Sequence, residues 1–133
     1  MADTEKITVN INVVDLGKID LLVEEGFYTN RTDLIRTAIR KELHEQKPHI
    51  DDVIQRKHKV MGIMRYKAAD LEKYRERGEM LEINVVGYLN IADDVTAELV
   101  EATISRVKVS GIATMPKEVN FRLHDLNRMG DGA

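Results

Sequence analysis

The stretch "KITVNINVVD", residues 6–15, alternates strictly between apolar and polar side chains. A period of two residues predicts a β-strand with one buried face. The apolar positions are Ile7, Val9, Ile11 and Val13. The opposite face is rich in short hydrogen-bonding groups, at Thr8, Asn10 and Asn12. Such a face is usually only solvated, so the segments that follow the strand decide what it does.

A first helix is predicted directly after the strand. "DLGKIDLLVEEG" carries apolar residues at helical spacing, with Asp15 as the expected N-cap and Gly26 as the expected C′ residue. The helix is therefore predicted from about residue 15 to residue 25. Gly17 in its first turn costs roughly 1 kcal/mol relative to alanine, so this helix depends on tertiary packing.

A second helix is predicted over about residues 31–46. Asn30 is its expected N-cap, with Asp33 three residues further on. The apolar side chains of this helix form one stripe, made of Leu34, Ile35, Ala38, Ile39 and Leu43. Pro48 is expected to close this first part of the chain.

One short strand ahead of two helices cannot satisfy its own backbone edges or bury its apolar face. The simplest partner is the same strand of a second copy, in an antiparallel ribbon that turns Ile7, Val9 and Ile11 onto the helices of both chains. A two-stranded ribbon fits the major groove of B-DNA, where Asn pairs with adenine, Lys with guanine, and Thr with several base edges. The outward face would consist of Lys6, Thr8, Asn10 and Asn12.

Residues 6–43, "KITVNINVVDLGKIDLLVEEGFYTNRTDLIRTAIRKEL", resemble the ribbon-helix-helix regulators of the CopG type. The resemblance rests on the strand pattern, the helix lengths, the glycine and aromatic residues at 26–28, and "NRTDLIR" at the start of the second helix. It implies an intertwined homodimer that binds double-stranded operator DNA. Further association through residues 60–125 would make a dimer of dimers. The resemblance also implies two sets of DNA-binding residues: Lys6, Thr8 and Asn10 reading bases, and Asn30, Arg31 and Thr32 holding phosphate through backbone amides.

The charge balance of this part opposes DNA binding. Residues 1–46 hold 6 basic and 9 acidic side chains, a net charge of −3, whereas affinity for DNA depends heavily on neutralising phosphates. Acidic side chains of the first helix, such as Asp20, could face away from the duplex. Arg36 and Arg40 are expected to form surface ion pairs of little energetic value.

The second half of the chain is loosely repetitive. Gly62, Gly87 and Gly111 recur at intervals of 25 and 24 residues, each within an apolar segment that leads through a polar turn into an apolar helical stretch. Strands are predicted near residues 60–66, 81–91 and 105–114. Two interpretations stay open: stacked strand-plus-helix repeats, or an ordinary three-stranded α/β domain.

The predicted fold class is α+β: an N-terminal ribbon-helix-helix and a small C-terminal α/β domain of about three strand-helix units. The predicted domains are 1–46 for DNA binding and dimerisation, 47–59 as a connector with a weak helical stripe, 60–125 for oligomerisation or sensing, and 126–133 as a flexible tail.

Other functions find little support in the composition. The chain has no cysteine, its four histidines do not form a metal-binding pattern, and no nucleophile elbow, phosphate-binding loop or dinucleotide-binding motif is present. We therefore expect no enzyme activity, metal site or cofactor. Without a signal peptide or an apolar run of spanning length, a cytoplasmic location is expected.

The leading hypothesis is a sequence-specific transcriptional regulator that inserts a dimeric β-ribbon into the major groove. The sequence leaves open whether it represses or activates. The alternative is a protein-interaction or scaffold module, including an antitoxin-like one, that uses the ribbon-helix-helix mainly to dimerise. Residues 60–125 would associate further, or bind a small ligand or a protein.

Overall fold

The computed structural model describes residues 4–131, with side chains as far as His124. Helices and strands alternate along the chain in the order α1 (Val13–Glu24), α2 (Arg31–Glu45), α3 (Lys47–Arg56), β1 (Val60–Tyr66), α4 (Ala68–Arg77), β2 (Leu81–Ile91), α5 (Ala97–Thr103), β3 (Ile104–Thr114) and α6 (Lys117–Asp131). The chain divides into two compact units, Met1–Val53 and Ile54–Ala133, called here the N-terminal unit and the C-terminal unit.

The leading segment differs from its prediction. Residues 4–12 have no regular secondary structure in a single chain, because a lone strand has no neighbour with which to form a ladder. Helix α1 begins at Val13, earlier than predicted, and its N-cap is Asn12 instead of Asp15. The Asn12 Oδ1 atom accepts a hydrogen bond from the Val14 amide at 2.8 Å. Asn12 is therefore a helix cap and does not belong to the outward polar face.

The turn between α1 and α2 follows the prediction. Gly26 has a φ of 83°, and its amide donates to the Val23 carbonyl at 3.1 Å while the Phe27 amide donates to the Leu22 carbonyl at 3.0 Å. This pair of hydrogen bonds is the Schellman motif that ends many helices at a glycine. Helix α2 begins after Asn30, which caps it. The prediction of Gly26 as the C′ residue and of Asn30 as the helix N-cap is confirmed.

Pro48 does not close the helical region. It lies in the first turn of α3, separated from α2 by Gln46 alone. Proline is tolerated in the first turn of a helix because the amide hydrogen that it lacks would have no carbonyl partner within the helix. The segment predicted as a connector with a weak helical stripe therefore contains a helix.

The N-terminal unit has no buried core of its own. None of its described residues, 4–53, is buried. The apolar stripe of α2 stays open, with Ile39 53% and Leu43 55% exposed. A folded domain normally covers such a stripe against another element, and the described residues of this unit do not cover it.

The C-terminal unit is built on a parallel three-stranded sheet in the order β1-β2-β3. Each strand is followed by a helix, as a parallel sheet requires. The core lies between the sheet and these helices; its fully buried members are Leu71, Val85, Leu89, Ile91, Val100, Ile104 and Val119. The three strands correspond to the segments near 60–66, 81–91 and 105–114 that the repeat indicates.

The repeated glycines form one row across the sheet. Gly62 pairs with Gly87, and Gly87 pairs with Gly111, and all three have φ between 126° and 134°. A Cβ atom at Gly87 would overlap the Gly62 carbonyl oxygen, and one at Gly111 would overlap the Gly87 carbonyl oxygen. Glycine is required at these two positions both for its backbone conformation and for the close approach of the strands.

Only one face of the sheet carries the core. Along β2, Ile83, Val85, Leu89 and Ile91 are buried while the residues between them are not. The other face holds polar and charged side chains toward the beginning of the strands and apolar ones in the middle. Parallel sheets are usually covered on both faces, so this open face is the less ordinary feature of the unit.

The segment predicted as a flexible tail, 126–133, is helical as far as Asp131, and its last two residues lie outside the described part of the chain. Among the residues that the structure describes, no helix is long and apolar enough to cross a membrane. Within the same residues, no three His, Asp or Glu side chains are grouped as metal ligands would be.

Candidate nucleic-acid interface

The residues expected to read bases lie on the leading segment. Lys6, Thr8 and Asn10 are all exposed. Their apolar neighbours are exposed as well, with Ile7 at 80% and Val9 at 69%. Within residues 4–131, no hydrogen bond or ion pair joins the polar triplet to α2. A single chain therefore presents the triplet without fixing its direction.

The N-terminus of α2 is shaped by a reciprocal pair of hydrogen bonds. The Asn30 Oδ1 atom accepts from the Asp33 amide at 2.8 Å, and the Asp33 Oδ2 atom accepts from the Thr29 amide at 3.0 Å. The next two amides, of Arg31 and Thr32, open the helix and find no carbonyl partner within it. Such amides, at the positive end of the helix dipole, form an anion site.

The Arg31 side chain is committed to α1. Its Nε and Nη2 atoms donate to the two carboxylate oxygens of Asp20 at 2.8 and 2.9 Å. These hydrogen bonds, reinforced by the opposite charges, lower the pKa of Asp20 and raise the pKa of Arg31. The Asp20 carboxylate thus faces α2 and does not point away from it. The Arg31 guanidinium thus links the two helices, while its amide lies at the N-terminus of α2.

Two arginines that the sequence suggested only as surface ion-pair formers line a groove on α2. Arg36 and Arg40 share this groove with the capping region; its other lining residues are Thr29, Asn30, Thr32, Asp33 and Thr37. Neither arginine has an ion pair with a described residue. Two positive charges, on Arg36 and Arg40, therefore lie in the same groove as the N-terminus of α2. The carboxylate of Asp33 is the one negative charge among the described residues that line this groove.

The spacing of residues along the second helix could have predicted this groove. Thr32, Arg36 and Arg40 recur every four residues, which places them along one face of α2. The Asp20–Arg31 pair carries no comparable signal, because its members lie eleven residues apart on different helices. Only the packing of α1 against α2 brings them together.

The chain thus combines a leading segment without regular secondary structure, a capped second helix beside basic side chains, and a separate α/β unit. The model of the Ribbon-Helix-Helix transcriptional regulator family matches residues 2–120. The match covers most of the chain and both units, so the protein belongs to this family, and the resemblance of residues 6–43 is confirmed. Comparison with curated proteins and with solved structures gave no match. Membership supports DNA binding and dimerisation in general, and such regulators are typically not enzymes.

Proposed function

We propose that the protein is a homodimeric transcriptional regulator that recognises operator DNA by inserting a two-stranded ribbon, one strand from each chain, into the major groove. The observation that carries the proposal is the absence of any buried residue among residues 4–53. An exposed apolar segment followed by two helices with open apolar stripes becomes a domain when a second copy covers it.

In the proposed dimer, Ile7, Val9 and Ile11 turn inward onto the helices of both chains. Alternation along the strand then turns Lys6, Thr8 and Asn10 outward, toward the base edges. Asn12 lies beyond the reading surface because it caps α1. Specificity would come from this triplet, repeated by the two-fold symmetry of the dimer.

Phosphate contacts would come from the start of α2. The amides of Arg31 and Thr32 are oriented by the Asn30 cap, and Arg36 and Arg40 lie in the same groove. Contacts of this kind set the position of a protein on the duplex without reading its sequence. The domain boundaries 1–46, 47–59 and 60–125, and further association through residues 60–125 into a dimer of dimers, belong to the same proposal.

A scaffold or antitoxin-like module is the second candidate. It is favoured by two observations, the net charge of −3 over residues 1–46 and the Asp33 carboxylate in the α2 groove. Both weaken attraction to phosphate. In that case the N-terminal unit would dimerise without reading DNA.

A gel-shift assay against the upstream DNA of the gene separates the candidates. Removing two base-reading side chains with Thr8→Ala and Asn10→Ala should lower the preference for the operator over random DNA by about tenfold or more, since each good base pairing is worth about 1–3 kcal/mol. Gln55→Ala with Asn120→Ala is the matched control, because it removes two exposed polar side chains elsewhere.

The outcomes discriminate clearly. If the Thr8 and Asn10 variant keeps full selectivity, the ribbon does not read bases. If the wild-type protein shows no selectivity even at low salt, the scaffold candidate replaces the regulator.

A further inference from the structure

A basic groove on the C-terminal unit plays no part in the proposed ribbon. It has a volume of about 280 Å³, and the side chains that shape it come from the turn after α3 and from neighbouring positions of β2 and β3: Lys57, Lys59, Glu82, Asn84, Arg106 and Lys108. Four cationic side chains and a single carboxylate therefore share one groove. The C-terminal half is otherwise electrically balanced, since residues 47–133 hold 14 basic and 14 acidic side chains.

Sheet register brings the charges of β2 and β3 together. Glu82 pairs with Arg106, and Asn84 pairs with Lys108. These positions alternate with the buried Ile83 and Val107, so they project from the open face of the sheet. Even if Glu82 balances Arg106, three lysines remain around Asn84.

The turn after α3 is held in place by Asn84. The Asn84 Nδ2 atom donates to the Lys57 carbonyl oxygen at 3.1 Å, and its Oδ1 atom accepts from the Lys59 Nζ atom at 3.0 Å. Between the two lysines, His58 adopts a φ of 52°, a left-handed conformation that non-glycine residues seldom occupy. The fold thus holds Lys57 and Lys59 at the same groove.

Gathering these lysines is unfavourable without an anion. Partial burial first, and then the positive charges of Lys108 and Lys57, lower the pKa of Lys59. An anion between the ammonium groups would oppose the repulsion between the lysines, because opposite charges favour the charged form. A carboxylate supplies one negative charge against an excess of three, whereas a terminal phosphate group supplies about two, and a DNA backbone supplies one at each successive phosphate. Phosphate is also a common ligand of lysine.

We propose that the groove formed by Lys57, Lys59 and Lys108 around Asn84 binds a phosphate-bearing anion. The phosphate would belong either to a small phosphorylated molecule or to the DNA backbone. The site lies wholly within the C-terminal unit, so it is independent of the ribbon and of base reading.

The test uses the full chain and two probes, inorganic pyrophosphate and a DNA duplex of random sequence. The variant Lys57→Gln with Lys108→Gln removes two exposed charges and keeps both hydrogen bonds of Asn84. Its control is Lys73→Gln with Lys117→Gln, which removes two exposed charges from α4 and α6.

Pyrophosphate binding is measured by calorimetry. We expect the groove variant to bind about tenfold more weakly or worse, since a charged hydrogen bond is worth about that factor, while the control variant binds as the wild type does. Pyrophosphate should raise the melting temperature of the wild type and of the control, and should raise that of the groove variant by a smaller amount at the same concentration. Without ligand, the groove variant should melt at or above the wild-type temperature, because repulsion between lysines is relieved. If it melts lower, Lys108→Gln alone is used in its place.

The DNA measurement identifies the source of the phosphate. If the groove binds the DNA backbone, the plot of log affinity against log salt should become less steep by about 0.9 for each phosphate that is no longer neutralised, in the groove variant only. Loss of pyrophosphate binding, a shallower salt slope, or both would support the site. The proposal is overturned if neither probe distinguishes the groove variant from wild type, or if the control variant is weakened equally.

Discussion

The two units of the chain differ in how they bury apolar side chains. The C-terminal unit closes a core within one chain, where Leu71, Leu89 and Ile104 are fully buried. In the N-terminal unit no described residue is buried, although α2 carries a regular apolar stripe. Both units have apolar side chains at the spacing of buried faces. Within one chain, only the C-terminal unit has enough helices and strands to bury them.

This difference separates two sources of stability. Local packing of strand-helix units stabilises the C-terminal unit, so its core forms within one chain. In the proposed dimer the N-terminal unit would gain its core by association, so its stability would depend on concentration. Since the family match spans both units, a unit with its own core and a unit whose described residues all remain at least partly exposed belong to the same architecture.

The largest effect should come from Gly111→Ala, which breaks the self-sufficient unit. The added Cβ would overlap the Gly87 carbonyl oxygen, and the φ of 126° is itself unfavourable for alanine. We expect a loss of about 4 kcal/mol or more, beyond the usual range of point substitutions. Hydrogen exchange of the β2 amides measures it.

Ser110→Ala is the control for this prediction, since it changes the neighbouring exposed residue of the same strand. Protection of α1 and α2 should survive in both variants. A protected β2 in the Gly111→Ala protein would show that the glycine row does not hold the strands together.

Val9→Asp should break the other unit. In the proposed ribbon Val9 lies between two chains, where a carboxylate without a partner is costly to bury. We expect α1 and α2 to lose protection from hydrogen exchange while β2 keeps it, and light scattering should show weaker association. The size of the loss should increase as the protein is diluted.

Asn10→Asp carries the same new charge one residue further on, on the outward face of the ribbon, and should leave the helices protected. If both aspartates disrupt the helices equally, or if neither does, alternation along residues 6–12 does not define an inner face. The proposal that the N-terminal unit depends on the strand of a second chain would then be wrong.

The sequence predicted features that are set by neighbouring residues. Asn30 and Gly26 were identifiable because caps and C′ residues act over a few positions. The glycine interval predicted three strands because each repeat carries its own signal. Asn12 was misassigned, since apolar alternation continues to Val13 and both Asn12 and Asp15 are favoured caps.

Features that depend on tertiary contact were not predictable. Arg31 and Asp20 meet only when α1 packs against α2. Lys59 and Lys108 share a groove because the parallel register places β3 beside Asn84. Nothing in the local pattern around Lys57 and Lys59 indicates that these lysines meet the charges of a strand far along the chain.

The smallest effect on stability should come from Asp20→Asn. This variant tests whether the Asp20–Arg31 ion pair stabilises α1 and α2 in addition to the proposed association of two chains. The pKa of Asp20 is lowered in the folded protein by its hydrogen bonds to Arg31. A lowered carboxyl pKa contributes stability above the ordinary value of 3.8, and this contribution is lost as the pH falls through the folded value. The urea midpoint of α1 and α2 should therefore be lower in the variant at neutral pH and converge with that of the wild type in acid. The difference should be modest, because the Arg31 and Asp20 side chains are 57% and 38% exposed.

The same substitution should have the opposite effect on DNA. It removes a negative charge and releases the Arg31 guanidinium beside the amides of the α2 N-terminus, so binding to random-sequence DNA should tighten. Glu24→Gln is the control, because it removes one exposed charge from the same helix but leaves the Asp20–Arg31 ion pair intact. It should change both the acid dependence of the urea midpoint and the affinity for DNA less than Asp20→Asn does. If the two variants behave alike, the Asp20–Arg31 pair acts only through net charge, and association alone organises the N-terminal unit.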